Sequence, residues 1–215
     1  EKKFSKDYQS GIFSFEFNFL GEKIITNSGY FQDYKHQLNI VSKSTATHST
    51  LVLNNTSAVR FERDKHGHML IVKNFKVLDK EIKSENEFWS IRASHDAYSK
   101  SNGVIHERQL LFYQNETRLE GCDKLIKTKN FRSSNFEIRF HVLPEINLTK
   151  LLNNKTILIE SNNSGWKFSC ESHKIEIESG LYFGKKNKYL ENKNILITGL
   201  TKPNEEAIFW KLSKI

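Results

Sequence analysis

The stretch Gly11–Gly29, "GIFSFEFNFLGEKIITNSG", indicates a β-sheet fold because its first half alternates between apolar and polar side chains. The phenylalanines on one predicted face are Phe13, Phe15, Phe17 and Phe19. An alternation of period two is typical of a β-strand with one buried face. Gly21-Glu22 predicts a hairpin turn into a second strand. Four aromatic rings on one face need a wide apolar partner, so a second layer must cover them.

The short-strand pattern continues to the end of the chain. Alternating runs such as "HSTLVLNN", "EFWSIRASHDAY", "FEIRFHVLP" and "EAIFWKLSKI" are separated by Gly, Asn and Asp. The spacing predicts an all-β fold, an antiparallel multi-sheet β-sandwich, with "QNET" at residues 114–117 as one hairpin turn. No convincing helix, fixed-period repeat or Pro-rich linker is visible, so we expect a single domain over residues 1–215.

The composition indicates a folded, basic protein. The 215 residues are 37% hydrophobic, and 33 Lys and Arg against 25 Asp and Glu give a net charge of +8. Such a surface attracts nucleic acid, acidic polysaccharide or anionic lipid. The basic residues are scattered singly, so we expect no nucleic-acid partner. No apolar run approaches the roughly 18 to 20 residues of a membrane span, and the start of the chain has no signal-peptide core.

Local motifs disfavour several chemistries. No HExxH or CxxC spacing offers a zinc site, so a metal site would have to be assembled from distant strands. No G-x-S-x-G sequence and no Gly-rich phosphate loop is present, which disfavours covalent hydrolases and nucleotide chemistry. Cys122 and Cys170 are either buried thiols or one disulfide.

Histidines at or inside predicted strands are the candidates for chemistry, namely His48, His95, His106 and His141. An oriented and protected imidazole can bind a metal or transfer a proton near neutral pH. The alternative for each is a partly buried ring whose nitrogens are satisfied by the backbone.

The segment "SHDAYSKSNGVIHERQ", residues 94–109, is the richest polar patch. Across a hairpin, residues on the same face come within contact distance, so His95 and His106 are predicted to face each other or to flank one groove. The fork of Arg108 suits a carboxylate or a sulfate. The alternative is a cross-strand ladder of ion pairs on a solvated face.

Six segments carry a family resemblance in their order: "GIFSFEFNFLGEKIITNSGY", "STATHSTLVLNNTSAVRF", "SHDAYSKSNGVIHERQLLFYQNETRLEGCDKL", "RFHVLPEI", "GWKF" and "IFWKLSKI". Together they resemble the C-terminal sheet domain of heparinase II/III-like polysaccharide lyases. The resemblance implies a β-supersandwich that follows an upstream α/α toroid, so the chain is expected to be part of a longer, commonly periplasmic protein. It also implies β-elimination on a uronate-containing acidic polysaccharide held between the two domains.

The resemblance also implies site residues. His48, in "THST" at residues 47–50, matches a histidine that is a metal ligand in zinc-containing members. Gln9 and Asn27 stand where the family has a histidine and an aspartate, and neutral amides are poor zinc ligands, so we expect no zinc and no other cofactor. The predicted catalytic residues are His48, His95 and His106, and the predicted substrate-binding residues are Arg108, Tyr98, Gln9 and Asn27.

Two alternatives stay open. His48 could hydrogen-bond Asn27 as a structural remnant of the metal site. The domain could also be a non-catalytic carbohydrate-binding or packing module, because the family's sheet-side catalytic histidine has no counterpart near Gln9.

Overall fold

The computed structural model describes residues 7–73, 75–186 and 188–215. Residues 1–6 lie outside the described residues. They belong to the start of the chain, for which the sequence predicted no signal-peptide core. The helices are α1 (Gln37–Lys43), α2 (Ser99–Asn102) and a 3-10 helix over Thr45–Thr47. The strands are β1 (Phe17–Phe19), β2 (Glu22–Ile25), β3 (Leu51–Leu53), β4 (Arg60–Arg63), β5 (Met69–Lys73), β6 (Val77–Ser84), β7 (Phe88–His95), β8 (Val104–Tyr113), β9 (Arg118–Lys127), β10 (Asn135–His141), β11 (Asn147–Lys150), β12 (Thr156–Glu160), β13 (Gly165–Ser169), β14 (Ile175–Lys185), β15 (Lys188–Leu200) and β16 (Glu206–Lys214).

Two large sheets form the body of the domain. The eight-stranded sheet has the order β11-β12-β13-β16-β9-β8-β7-β6, and the four-stranded sheet has the order β14-β15-β10-β3. Two hairpins, β1-β2 and β4-β5, complete the described strands. Neighbouring strands pair antiparallel in both large sheets. The prediction of an antiparallel, multi-sheet all-β fold is therefore confirmed.

The core lies between the two large sheets. Phe140 of β10 packs against Phe168 of β13 and Trp210 of β16, with ring centroids 4.6 and 4.7 Å apart. All three side chains are at most 3% exposed. Burying large aromatic side chains supplies much of the favourable free energy of such a core, at about 25 cal/mol per Å² of apolar surface.

The phenylalanines predicted to face inward do pack on this core. Phe15 stacks on Trp210 at 5.7 Å between centroids. Phe17 and Phe19 each meet Trp166 edge-on at 5.3 Å. The alternation therefore identified the buried face of the Gly11–Gly29 stretch.

The strand prediction for this stretch is wrong at its beginning. β1 starts only at Phe17, and Phe13 lies outside the strand with a left-handed φ of 56°. The hairpin turn also falls at Leu20-Gly21 and not at Gly21-Glu22, because Glu22 already pairs with Phe19 in the ladder. Leu20 has a φ of 48°, a conformation that leucine rarely adopts and that its sequence does not signal.

The prediction of no convincing helix is wrong for two short segments. α1 begins after His36, whose ring Nδ1 accepts the Leu38 N–H at 3.1 Å and so caps the helix. α2 is a single turn that ends at Asn102, and Gly103 directly after it caps the turn with a left-handed φ of 67°. Helices of seven and four residues are too short to show the 3.6-residue period.

Two hairpins of the eight-stranded sheet follow their sequence signals. Residues 114–117 connect β8 to β9, which confirms the "QNET" turn. β7 and β8 pair with His95 opposite His106, as the same-face argument predicted.

Cys122 and Cys170 are free thiols, so the disulfide alternative does not apply. Among the described residues, no helix has the length and hydrophobicity to cross a membrane.

Candidate functional site

His48 lies just beneath the surface, directly after the 3-10 helix and before β3. Its side chain is 4% exposed. Ring Nδ1 lies 2.8 Å from the Ser44 carbonyl oxygen, and ring Nε2 lies 2.8 Å from Oε1 of Gln9. Gly11 permits this packing, because a Cβ there would overlap the imidazole and lie 2.8 Å from its Cγ. The fold therefore holds the His48 ring between the Ser44 carbonyl and the half-buried carboxamide of Gln9.

The partners of His48 decide where its proton lies. Burial lowers the pKa of His48, so the neutral imidazole is the stable form near neutral pH. The Ser44 carbonyl can only accept, so Nδ1 carries the proton and Nε2 presents a lone pair. With Nδ1 protonated, Nε2 can only accept, so the Gln9 carboxamide must present its amino group there in place of Oε1. Oε1 accepts from Nε2 only when the ring carries both protons. Gln9 is therefore able to satisfy both protonation states of His48.

Asn27 contacts the backbone directly after His48. We call Gln9, Asn27 and His48 the His48 wall. Its Oδ1 accepts the Ser49 N–H at 2.9 Å. The expectation that His48 would hydrogen-bond Asn27 is wrong, because the ring nitrogens of His48 bond Gln9 and Ser44. The structure nevertheless brings Gln9, Asn27 and His48 to one place, although 39 residues separate Gln9 from His48.

A second group of polar side chains is buried on the inner face of the eight-stranded sheet and centres on Asp123 of β9. Its Oδ1 accepts from His106 Nε2 at 2.7 Å and from Arg108 Nε at 2.8 Å. Its Oδ2 accepts from a terminal nitrogen of Arg108 and from Trp210 Nε1, both at 2.9 Å. Burial alone would raise the pKa of Asp123, but Arg108 and His106 outweigh it and hold that pKa below the usual range. We call His95, His106, Arg108, Asp123 and Trp210 the Asp123 network.

The hydrogen bonds of the Asp123 network run in one direction. Asp123 can only accept, so His106 Nε2 carries a proton and His106 Nδ1 has a lone pair. His95 Nε2 lies 3.1 Å from that lone pair and donates to it, and His95 Nδ1 accepts the Ala97 N–H at 3.2 Å. Each ring nitrogen is satisfied with both imidazoles neutral. Burial lowers the pKa of both rings, that of His95 to about 2.

Arg108 connects the Asp123 network to the His48 wall. One terminal nitrogen of its guanidinium donates to the Phe13 carbonyl at 3.1 Å and to the Ser49 carbonyl at 2.7 Å. The alternative of an ion-pair ladder on a solvated face is wrong for Arg108, whose side chain is 2% exposed and pairs with the fully buried Asp123. Such a ladder exists one residue away, where Glu107 pairs with Arg92 on the other face of the sheet.

Tyr98 packs beside the Asp123 network, with its ring centroid 5.9 Å from that of His95, and its hydroxyl bonds the backbone of β3. Its ring is 1% exposed, and its hydroxyl donates to the Leu51 carbonyl at 3.1 Å. Burial raises the pKa of this hydroxyl. The site predictions therefore fall into a wall near the surface, formed by Gln9, Asn27 and His48, and an interior set, formed by His95, Tyr98, His106 and Arg108. Their functional roles stay predictions.

The residues present do not fit the zinc site of the zinc-containing family members. The position of Gln9 supplies a neutral amide already bonded to His48, and Asn27 uses its oxygen on the Ser49 N–H. Zinc in proteins prefers imidazole, thiolate and carboxylate ligands. Within the described residues, no group of three or more His, Cys, Asp or Glu side chains could hold a metal ion.

Sequence reasoning missed Asp123 and Trp210. Asp123 could have been found from its position in the alternation of β9, because it falls on the buried face together with Leu119, Gly121 and Leu125. A carboxylate on an apolar face must be paired, which points to a buried cation. Nothing in the sequence indicated that the indole of Trp210 would donate to it.

Comparisons with known proteins agree with this architecture. The model of the heparinase II/III-like C-terminal family matches residues 1–211. A solved structure of heparan sulfate lyase HepC from Pedobacter heparinus has a TM-score of 0.76 at 15% identity, over 96% of this chain and 30% of that one. A heparinase III structure has a TM-score of 0.74 at 17% identity, with the same coverage. These likenesses show an antiparallel sandwich of the kind found in polysaccharide lyases.

The chain belongs to the heparinase II/III-like C-terminal family. It spans about a third of the length of the lyase structures it matches. A curated relative, tRNA(Ile)-lysidine synthase from Mycoplasma mycoides subsp. mycoides SC, is 28% identical over 169 residues, which are 74% of this chain and 39% of that protein.

Proposed function

We propose that this domain forms one wall of the cleft of a polysaccharide lyase acting on uronate-containing acidic polysaccharide, with a helical toroid domain of the same protein as the other wall. The observation that supports it best is the convergence of Gln9, Asn27 and His48 just beneath the surface, in a member of the heparinase II/III-like C-terminal family. The net charge of +8 favours a polyanionic substrate.

The proposed reaction needs a base and charge neutralisation. The proton on the carbon next to the uronate carboxylate is removed, its electron pair forms a double bond, and the neighbouring C–O bond to the next sugar breaks. The leaving oxygen then takes up a proton. Neutralising the carboxylate makes the carbon more acidic, and a placed neutral imidazole can accept the proton.

His48 is the residue of this chain that we assign to proton transfer. Its lowered pKa leaves Nε2 with a lone pair near neutral pH, and the oxygen of Gln9 can accept from Nε2 once that atom is protonated. The substrate reaches Nε2 only when the half-buried Gln9 side chain turns aside. His95 and His106 are at most 1% exposed, so we assign them, with Arg108, to supporting the wall. We assign no zinc to the site.

Turnover tests the proposal. The natural polypeptide that contains this domain is incubated with heparan sulfate, alginate and oligoalginate, and the new carbon–carbon double bond is followed by ultraviolet absorbance. We expect cleavage of at least one polymer and a loss of about 100-fold or more in kcat for His48→Gln. His66→Gln, at an exposed turn, is the matched control and keeps its activity. Inertness on every uronate polymer would contradict the proposal.

A non-catalytic carbohydrate-binding module is the second candidate. The observation that favours it is that Gln9 already occupies His48 Nε2 with a neutral amide. Glycan-array binding by this domain, together with no turnover by the natural polypeptide, would support the module and exclude the lyase.

Nucleic-acid binding is a third candidate, supported by the partial match to a tRNA(Ile)-lysidine synthase and by the basic net charge. Phosphate contacts release counterions, so binding to tRNA must weaken steeply as salt rises. A salt titration that compares tRNA with heparan sulfate separates the two polyanions. We expect the tighter and less salt-dependent binding with the polysaccharide.

A further inference from the structure

A single buried guanidinium contacts three separate parts of the chain. Arg108 of β8 pairs with the Asp123 carboxylate through two of its nitrogens, at 2.8 and 2.9 Å. Its remaining terminal nitrogen donates to the carbonyls of Phe13 and Ser49, at 3.1 and 2.7 Å. Ser49 directly follows His48, and Phe13 lies four residues after Gln9. Arg108 therefore bonds the backbone of both segments whose side chains meet at His48 Nε2.

The Phe13 segment is attached at a second point. The ring of Phe13 lies 5.0 Å from the ring of His95 and 6.2 Å from that of His106. Phe13 also has a left-handed φ of 56°, which costs free energy for any residue other than glycine. Such a conformation persists only when its surroundings hold it, and here the carbonyl is held by Arg108 and the ring by the two imidazoles.

The carboxylate of Asp123 fixes the plane of the guanidinium. His106 and Trp210 donate to the same carboxylate, one to each oxygen, so it cannot rotate without losing a buried hydrogen bond. The bidentate pair then fixes where the remaining nitrogen points. A lysine has a single nitrogen at the end of a flexible chain and cannot reproduce this geometry.

We infer that Arg108 is a positioning residue. Held by Asp123, it sets the separation between the Gln9 carboxamide and His48 Nε2 by binding the backbone of both segments. The inference rests on the proposed function only for the importance of the His48 site. It concerns the geometry of that site, which is measurable without any substrate.

The experiment is side-chain nitrogen NMR of His48 in Arg108→Lys. We expect the His48 Nε2 resonance to move, because the Gln9 contact is lost and water reaches the ring. Arg92→Lys is the matched control, because Arg92 lies on the neighbouring strand and pairs with Glu81 and Glu107 on the outer face. The control leaves the His48 signals unchanged.

Two further variants separate positioning from general loss of stability. Leu148→Ala removes a buried side chain of β11, at the far edge of the eight-stranded sheet, and should lower stability without moving the His48 signals. Phe13→Leu keeps the carbonyl but loses the ring contacts, and should move those signals in the same direction as Arg108→Lys. It serves as the decisive variant if Arg108→Lys does not fold.

Unchanged His48 signals in folded Arg108→Lys, or in Phe13→Leu where Arg108→Lys does not fold, would overturn the inference. A shift of equal size in Leu148→Ala would overturn it as well. Absence of lyase turnover would contradict the proposed function and leave these results unaffected.

Discussion

The two histidine sites of this domain differ in how firmly their protons are placed. In the Asp123 network, an acceptor-only carboxylate fixes one proton on His106 and, through it, one proton on His95. At the wall, His48 faces a carboxamide that can either donate or accept. A buried site with a determined hydrogen-bond direction resists protonation, whereas a site with an ambivalent partner can exchange a proton. A histidine is therefore a candidate for proton transfer only where its hydrogen-bond partners leave room for a second protonation state.

Removing the central carboxylate should give the largest effect. Asp123→Asn leaves Arg108 buried without its countercharge, and breaking a buried pair costs about 3–5 kcal/mol. Urea unfolding measures this loss. Glu107→Gln breaks the half-exposed pair with Arg92 on the outer face and should cost about 1 kcal/mol or less. Equal losses for the two variants would show that the network is not the stabilising core that its geometry indicates.

Acidification should destabilise the domain through its buried neutral rings. The folded pKa of His95 is about 2 and that of His141 about 3, both below the ordinary value, so the unfolded chain binds more protons. This stability is complete above the unfolded pKa and is lost as pH falls below about 6.5, by about 2 to 3 kcal/mol per ring at pH 4.5. Unfolding followed between pH 7 and 4.5 measures it.

Matched variants assign that pH dependence to its rings. His95→Gln should flatten the pH dependence of stability by one such contribution, whereas His66→Gln, at an exposed turn, should leave it unchanged. An unaltered slope in His95→Gln would mean that the ring is not held neutral.

A methyl group at Gly11 should disturb the His48 ring more than the Asp123 network. In Gly11→Ala the new Cβ would overlap the His48 imidazole, and overpacking of this kind costs about 1–3 kcal/mol. Histidine NMR signals show which ring moves. We expect larger shifts at His48 than at His106, and the reverse pattern would show that the new Cβ does not act first on the His48 ring.

A charge beside His48 should change its protonation with little effect on stability. Gln9→Glu places an acceptor-only carboxylate at Nε2, which favours the imidazolium and raises the His48 pKa. The half-buried position limits the change in stability to about 1 kcal/mol. Gln109→Glu adds the same charge to the outer face of β8 and serves as the control in the NMR titration. A His48 pKa that rises equally in both variants would show only a long-range effect.

The sequence predicted the layers of the fold well because alternation reports burial directly. Phe15, Phe17 and Phe19 pack inward, and His95 lies opposite His106, as their strand positions indicated. The left-handed backbone of Phe13 and the short helices depend on tertiary contacts that leave no periodic signal.

The sequence could predict which residues form the candidate site, but it could not predict which hydrogen bonds they make. The resemblance identified Gln9, Asn27 and His48 as neighbours, and the structure brings them together. That Gln9 and not Asn27 bonds His48 depends on distances of a few ångströms, which spacing cannot give. The link between the two sites through Arg108 joins segments up to 95 residues apart, so it could be seen only after folding.

The tautomers of His48, His95 and His106 are a direct test of how the protons are placed at the two sites. Nitrogen-15 NMR of the histidine side chains near neutral pH distinguishes a proton on Nδ1 from one on Nε2. We predict Nε2–H for both His95 and His106 and Nδ1–H for His48 near neutral pH, with the His95 ring still neutral at pH 4.5. A His95 or His106 ring that carries its proton on Nδ1, or that titrates near pH 6.5, would contradict the account.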